Sequence, residues 1–232
     1  MTTAKSNAHL TPKLFSFLRD LTKNNNREWF ADNKRRYEEH VKAPLIALIE
    51  EIEAPLMKVS PHLVADPSPV GGSMFRIYRD VRFSKDKRPY KTHAALQFRH
   101  IAGKDVHAPG LYVHFEPANC FVAGGVWHPE SAVLKAIRAR IDQDPKAWKK
   151  VLNAKAFKES FELSGSSLKR APKDYDPDHP LIEDLRRKDF IAVASLKQSE
   201  VTSNSLVPTL IKNFKALKPL MKFIADANRL EL

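Results

Sequence analysis

The sequence predicts an α+β fold, with a central and mostly antiparallel sheet flanked by N-terminal and C-terminal helices. Three observations predict it. Apolar residues recur at helical spacing over residues 11–60 and again after residue 128. Between these blocks, residues 75–127 largely alternate apolar and polar side chains with a period of two. The alternating runs are joined by short connections, which suits antiparallel neighbours, since a parallel pair needs a crossover of about a dozen residues or more. Strands grouped between helices, rather than interleaved with them, define the class.

Residues 1–10 are polar and lack the apolar segment of a secretory signal, so a flexible tail is expected there, followed by a single domain over 11–232. Thr11 and Pro12 open a helix as N-cap and first helical residue. Leu14, Phe17, Leu18 and Leu21 form its apolar face. Asn25, with Glu28 three residues on, resembles the capping box of a second helix whose face is Trp29, Phe30, Asn33, Tyr37 and Val41. Pro44 is expected to stop or kink that helix. A third carries Leu45, Leu48, Ile49, Ile52 and Leu56, with Pro55 ending its regular part.

After a Pro- and Gly-rich loop at 66–73, Phe75, Ile77, Val81 and Phe83 share one parity, while Arg76, Tyr78, Asp80 and Arg82 share the other. This predicts a strand, although Arg79 falls on the apolar side and calls for a bulge or a short helical turn. Met74, Ile77, Tyr78 and Val81 also have helical spacing, so a helix stays open here. Residues 84–89 are a polar loop. Strands follow over 92–101, 111–116 and 119–127, the last with Gly124 and Gly125 permitting a bulge or a close approach.

Helices are then predicted after His128 and Pro129, with Val133, Leu134, Ile137 and Ile141 as core face, and after Asp144, with Trp148, Val151 and Leu152. Residues 161–180 form loops. A short helix follows Pro180. Residues 190–196 are a buried strand, and Ser205 caps a long terminal helix bent at Pro219.

Composition narrows the function. Net charge is +12, yet residues 1–73 hold ten basic and nine acidic side chains, so the excess lies in the remainder. A basic surface of this size suits a polyanionic partner. No apolar run reaches the about 18 residues that would suggest a membrane span, so no membrane partner is expected. Cys120 stands alone, which excludes an internal disulfide and a multi-Cys zinc site and makes a reducing cytoplasm the expected compartment. Its apolar neighbours make it inert packing. No GxSxG elbow and no P-loop occur. Oligomeric state is not legible.

Residues 74–93 concentrate the chemistry, with seven Lys or Arg against Asp80 and Asp86, interleaved with Phe75, Tyr78, Phe83 and Tyr90. Arg leads, and its planar fork suits carboxylate or phosphate. Strand parity adds groups from neighbouring strands. The candidate ligand-binding residues are Arg76, Tyr78, Arg82, Lys87, Arg88, Lys91, His93, Arg99, Tyr112 and His114, with Gln97 and Glu116 on the same face. Arg79 and Asp80 are assigned structural roles, Arg79 buried and paired. The ligand expected is anionic, a nucleic acid or nucleotide. Two alternatives are a small enzyme acting on an anionic substrate at this face, and an internal Arg–carboxylate network in a structural or interaction protein. His93, His114 and Glu116 form a possible zinc or iron set. No HxxxH or HExxH pair supports it and the surrounding Arg residues would repel a cation, so neither metal nor cofactor is expected.

The stretch FRIYRDVRFSKDKRPYKTH (75–93) resembles the signature of the family known as Domain of Unknown Function 2461, a widespread group of microbial proteins. NNNREWFADNKRRYE (24–38), GLYVHFEP (110–117), GGVWHPE (124–130) and LKRAPKDYDPDHP (168–180) agree with it in order. The resemblance implies no particular reaction or ligand.

Overall fold

The structure is a computed structural model that describes residues 10–103 and 108–232. Of the tail expected at 1–10, only Leu10 is among the described residues, and it is fully buried in the core rather than free. Helix α1 (Pro12–Lys23) starts on proline and buries Leu14, Phe15, Phe17, Leu18 and Leu21. The cap of α2 (Arg27–Asp32) is Asn26, which accepts the Trp29 amide at 2.9 Å. Asn25, expected in that role, is used elsewhere.

The chain then runs through α3 (Lys34–Tyr37) and a π-helical turn (Glu38–Lys42) into α4 (Ala43–Val59). Pro44 does not stop it. It lies in the first turn of α4, after a widened turn, where its missing amide is tolerated. Pro55 does not end α4 either. Leu56 and Val59, beyond it, are buried on the same stripe as Leu48 and Ile52. Burying two such side chains contributes about 3–6 kcal/mol, enough to offset the roughly 3 kcal/mol cost of an interior proline.

Strand β1 (Leu63–Val64) pairs with the end of β2 (Ala94–His100). Strands β3 (Gly110–Glu116) and β4 (Asn119–Val126) follow, then α5 (Ser131–Gln143), α6 (Pro145–Leu152) and α7 (Lys155–Ser160). Asp144 caps α6 through the Ala147 amide, as its sequence predicts. Strand β5 (Glu162–Ser164), α8 (Ile182–Leu185), β6 (Phe190–Leu196), α9 (Gln198–Val201) and α10 (Leu206–Ala227) complete the chain. Helix α10 continues through Pro219. No helix among the described residues is long and apolar enough to cross a membrane.

Among the described residues the sheet has six strands in the order β1-β2-β3-β4-β6-β5, with every pair antiparallel. With helices at both ends of the chain, this is the α+β arrangement expected. One face carries Leu96, Phe98, Leu111, Val113, Phe115, Val122, Phe190 and Ala192, all essentially inaccessible. Helix α10 packs there: Phe214 meets Phe98 edge-on at 5.6 Å. A side chain at Gly124 would sit 2.8 Å from Leu217, so glycine lets the helix approach β4. The opposite face is partly open, with Gln97, Tyr112, Glu116, Phe121, Ile191 and Val193 half-buried. β6 is therefore buried on one side rather than on both.

The strand predicted over 75–83 does not form as such. Residues 73–79 lie along the edge of β2 through single bonds: Gln97 amide to Ser73 carbonyl (2.7 Å), Phe75 amide to Ala95 carbonyl (3.0 Å) and Lys91 amide to Ile77 carbonyl (2.8 Å). The segment returns on itself, with the Arg79 amide bonded to the Pro89 carbonyl. It is an irregular hairpin. Beyond Ile77 the alternation no longer sets burial, and Phe83 is almost fully exposed.

Candidate functional site

The hairpin is anchored from the N-terminal helices. The Asn25 side chain donates to the Tyr90 carbonyl and accepts the Tyr90 amide, both at 3.0 Å. Phe30 of α2 stacks on the Tyr90 ring at 4.1 Å, and Tyr78 leans on both rings. Tyr78 thus belongs to an aromatic anchor.

The tip of the hairpin is a local ion-pair lattice. Asp80 accepts the Arg82 amide (3.2 Å) and its guanidinium (2.7 Å). Asp86 does the same for Arg88, at 3.0 and 2.7 Å, and also holds Arg79 at 2.7 Å. The hydrogen bonds from Arg88, then those from Arg79, hold the Asp86 carboxyl well below the usual carboxylate range. Arg79 is therefore paired, as expected, but only partly buried, and its partner is Asp86, while Asp80 serves Arg82. Lys87 donates to the Val81 carbonyl. Arg82 and Arg88 are exposed, each paired with the aspartate two residues before it.

Arg76 and Lys91 differ. The Lys91 ammonium donates to the Arg76 carbonyl at 2.7 Å and rests 5.3 Å from the Phe75 ring centre. Neither cation forms an ion pair with a carboxylate among the described residues. Asp80 feels the charge of Arg76, but its oxygens are taken by Arg82. Burial first, then the Arg76 charge, pushes the Lys91 ammonium below its usual range.

Behind Phe75 lies the open sheet face. Tyr112, His114 and Glu116 sit at i, i+2 and i+4 of β3, so all three point the same way. Phe75 meets Tyr112 edge-on at 5.9 Å. The Tyr112 hydroxyl is 2.9 Å from His114 Nδ1, and His114 Nε2 is 3.3 Å from Glu116 Oε2. Phe121, across on β4, stacks under the His114 ring at 4.6 Å. His93, just before β2, places its ring 4.5 Å from that of His114. Asn119 (3.1 Å) and Thr92 (3.4 Å) donate to the two oxygens of Glu116.

Burial, then the neighbouring His114, lowers His93 to about 4. Burial also lowers His114, against the opposing pull of Glu116. Tyr112 is pushed up to about 12 by burial and then by Glu116. Burial raises the Glu116 carboxyl, but hydrogen bonds from Asn119 and His114 outweigh it and leave the net shift downward. At neutral pH the cluster is two uncharged imidazoles, a phenol and a carboxylate.

Of the residues singled out from sequence, His93, Tyr112 and His114 come together, with Lys91 and Arg76 beside them. Arg99 bonds to Gln97 on an exposed stretch opposite β1. Glu116, which parity puts on the same face and which the sequence groups with His93 and His114 as a possible metal set, lies beside His114. Asn25 and Phe30 gave no signal of a role at the hairpin, because their partner lies about 60 residues away. Within the described residues, His93, His114 and Glu116 are a group able to hold a metal ion, with ligand atoms within 4.8 Å of one another.

These features define an α+β protein with a polar cluster on the open face of its sheet and a basic hairpin alongside. A family model described as conserved hypothetical protein (DUF2461) matches residues 13–223, and the chain belongs to this family. No curated protein matches the sequence.

Proposed function

We propose that this protein binds an anionic, phosphate-bearing ligand, a nucleotide or nucleic acid, where Arg76 and Lys91 border the His93–Tyr112–His114 face. One observation carries this reading. Each arginine of the hairpin tip has a carboxylate partner, whereas Arg76 and Lys91 stand together without one. Two adjacent cations repel, and a shared phosphate would turn that repulsion into charge-assisted hydrogen bonds. Phe75 and Tyr112 add aromatic surface on which a base could stack. The chain's net charge of +12 favours the same class of partner. A lone, buried Cys120 is in keeping with a reducing cytoplasm.

The test is titration of ATP and of labelled single- and double-stranded oligonucleotides at low salt. The Arg76→Ala/Lys91→Ala double variant should bind about tenfold more weakly or worse, the scale of one lost charge-assisted hydrogen bond. Arg82→Ala should bind like the wild type. Undetectable binding by the wild-type protein rejects the proposal.

An enzyme acting on an anionic substrate is the second reading. The Tyr112–His114–Glu116 hydrogen-bond chain favours it, because such a chain fixes an imidazole for proton transfer. Turnover of a phosphoester panel, lost in His114→Asn, tests it.

A further inference from the structure

We propose that His93, His114 and Glu116 form a site for a divalent metal of the zinc or iron(II) class. The proposal goes beyond anion binding and does not depend on it.

Distance is the first support. Bonds of about 2.0–2.1 Å at tetrahedral angles place neighbouring donor atoms about 3.3 Å apart. His114 Nε2 and Glu116 Oε2 are 3.3 Å apart, long for a charge-assisted hydrogen bond but matched to one edge of such a tetrahedron. All three ligand atoms lie within 4.8 Å, so the widest pair must close by at most about 1.5 Å, within reach of side-chain torsions.

Outer contacts are the second support. A metal-bound imidazole usually donates its other N–H to an oxygen, which fixes ring and tautomer. The Tyr112 hydroxyl stands 2.9 Å from His114 Nδ1, placed to accept that proton and leave the Nε2 lone pair free. Asn119 and Thr92 hold the Glu116 carboxylate from behind. Phe121 stacks against the His114 ring and keeps it from turning.

Ligand chemistry completes the case. Arg79 and Arg88 bind Asp86 and Arg82 binds Asp80, which leaves Arg76 and Lys91 as the cations beside the site without a carboxylate partner among the described residues. Two nitrogens and one oxygen without a thiolate select zinc or iron(II) over softer ions. Cys120 points into the core and bonds to the Glu116 carbonyl, so it adds no ligand. Three protein donors leave at least one position for water or a ligand oxygen.

The experiment uses chelator-treated full-length protein in phosphate-free buffer, titrated with Zn²⁺ by calorimetry and with Co²⁺ by visible absorption. One saturable equivalent is expected, with the ligand-field bands of a low-coordinate Co²⁺ centre. Glu116→Gln and His93→Ala, both at half-buried positions, should abolish it. His62→Ala, at a separate histidine pair, should not. Tyr112→Phe should weaken Zn²⁺ binding by about 10–100-fold while leaving the melting temperature of the metal-free protein unchanged. Absence of a saturable equivalent in the wild type, or wild-type binding in both Glu116→Gln and His93→Ala, overturns the proposal. Oligonucleotide or ATP binding measured with chelator present reports separately on Arg76 and Lys91, so either reading can fail alone.

Discussion

Arg79 and Arg82 are three residues apart and both form ion pairs, yet they should contribute differently to stability. Arg79 is about a quarter exposed and joins Asp86 to the Arg88 carbonyl, closing the hairpin tip across seven to nine residues. Arg82 is 77% exposed and pairs only with Asp80, two residues away, a contact that an unfolded chain can also form. Exposed pairs contribute little. Arg79→Ala should lower the melting temperature by about 2–4 °C, and Arg82→Ala should leave it within error. Equal shifts in paired melting curves would show that the tip is not closed through Arg79. Sequence parity showed that Arg79 needed a partner. It did not show which one, because on a regular strand Asp86 would be too far away, and only the hairpin brings it back.

Asn25 belongs to the same scale. Its amide satisfies both backbone groups of Tyr90, which is buried. Asn25→Ala strands that N–H and C=O together, and a cost of about 2–4 kcal/mol in urea unfolding is expected, against a few tenths for a surface asparagine. A small change would mean that water replaces the amide.

At the scale of elements, legibility followed the source of each element's stability. β2, β3 and β4 were legible because one face is core and the other is not, so alternation reports burial directly. The hairpin at 73–93 was not, since its regularity is broken by two aspartates that bind the amides of Arg82 and Arg88 and turn the chain locally. β1 and β5, of two and three residues, are too short to show a period. Helix α4 passed Pro55 because buried leucine and valine beyond it outweigh a local rule. The Tyr112–His114–Glu116 row was legible from strand parity, which also put His93 on that face, but the ring contact of His93 with His114 follows only from the fold.

Asp189 shows how elements are tied together. It is 1% exposed and accepts the His128 amide (2.7 Å), the Ser166 amide (2.8 Å) and the Ser166 hydroxyl (2.7 Å), linking the exits of β4 and β5 to the start of β6. Gly165, at φ +102°, lies against it, and a side chain there would come within 2.5 Å of Asp189 Cβ. Burial raises the carboxyl, but the bonds from Ser166 and His128 outweigh it, so the folded-state value lies below the unfolded one. A depressed carboxylate contributes stability that is complete above the unfolded value, near pH 4, and is lost as pH falls through the folded value. Wild-type stability should therefore drop below about pH 4. Asp189→Asn should be less stable at pH 7 and lose less on acidification. Parallel wild-type and variant curves from pH 7 to 2.5 would exclude this linkage.

At the scale of the whole molecule, the question is whether an anion would respond to the overall charge or to one site. The chain carries +12, but residues 1–73 are nearly neutral, so any field is uneven. Much of the Arg-rich hairpin is locally compensated by Asp80 and Asp86, and this leaves Arg76 and Lys91 as the pair beside the open face. The two cases differ in their salt dependence. For duplex DNA, the logarithm of affinity falls with the logarithm of salt concentration at a slope of about −0.9 for each phosphate neutralised. A site built on two cations predicts a slope near −2, reduced by about 1 in each single variant, Arg76→Ala or Lys91→Ala. Diffuse attraction by a surface of +12 predicts a steeper slope that neither substitution changes. Affinity measured at four salt concentrations for the wild type and both variants separates them. A steep slope shared by all three proteins would mean that Arg76 and Lys91 are incidental to nucleic-acid binding.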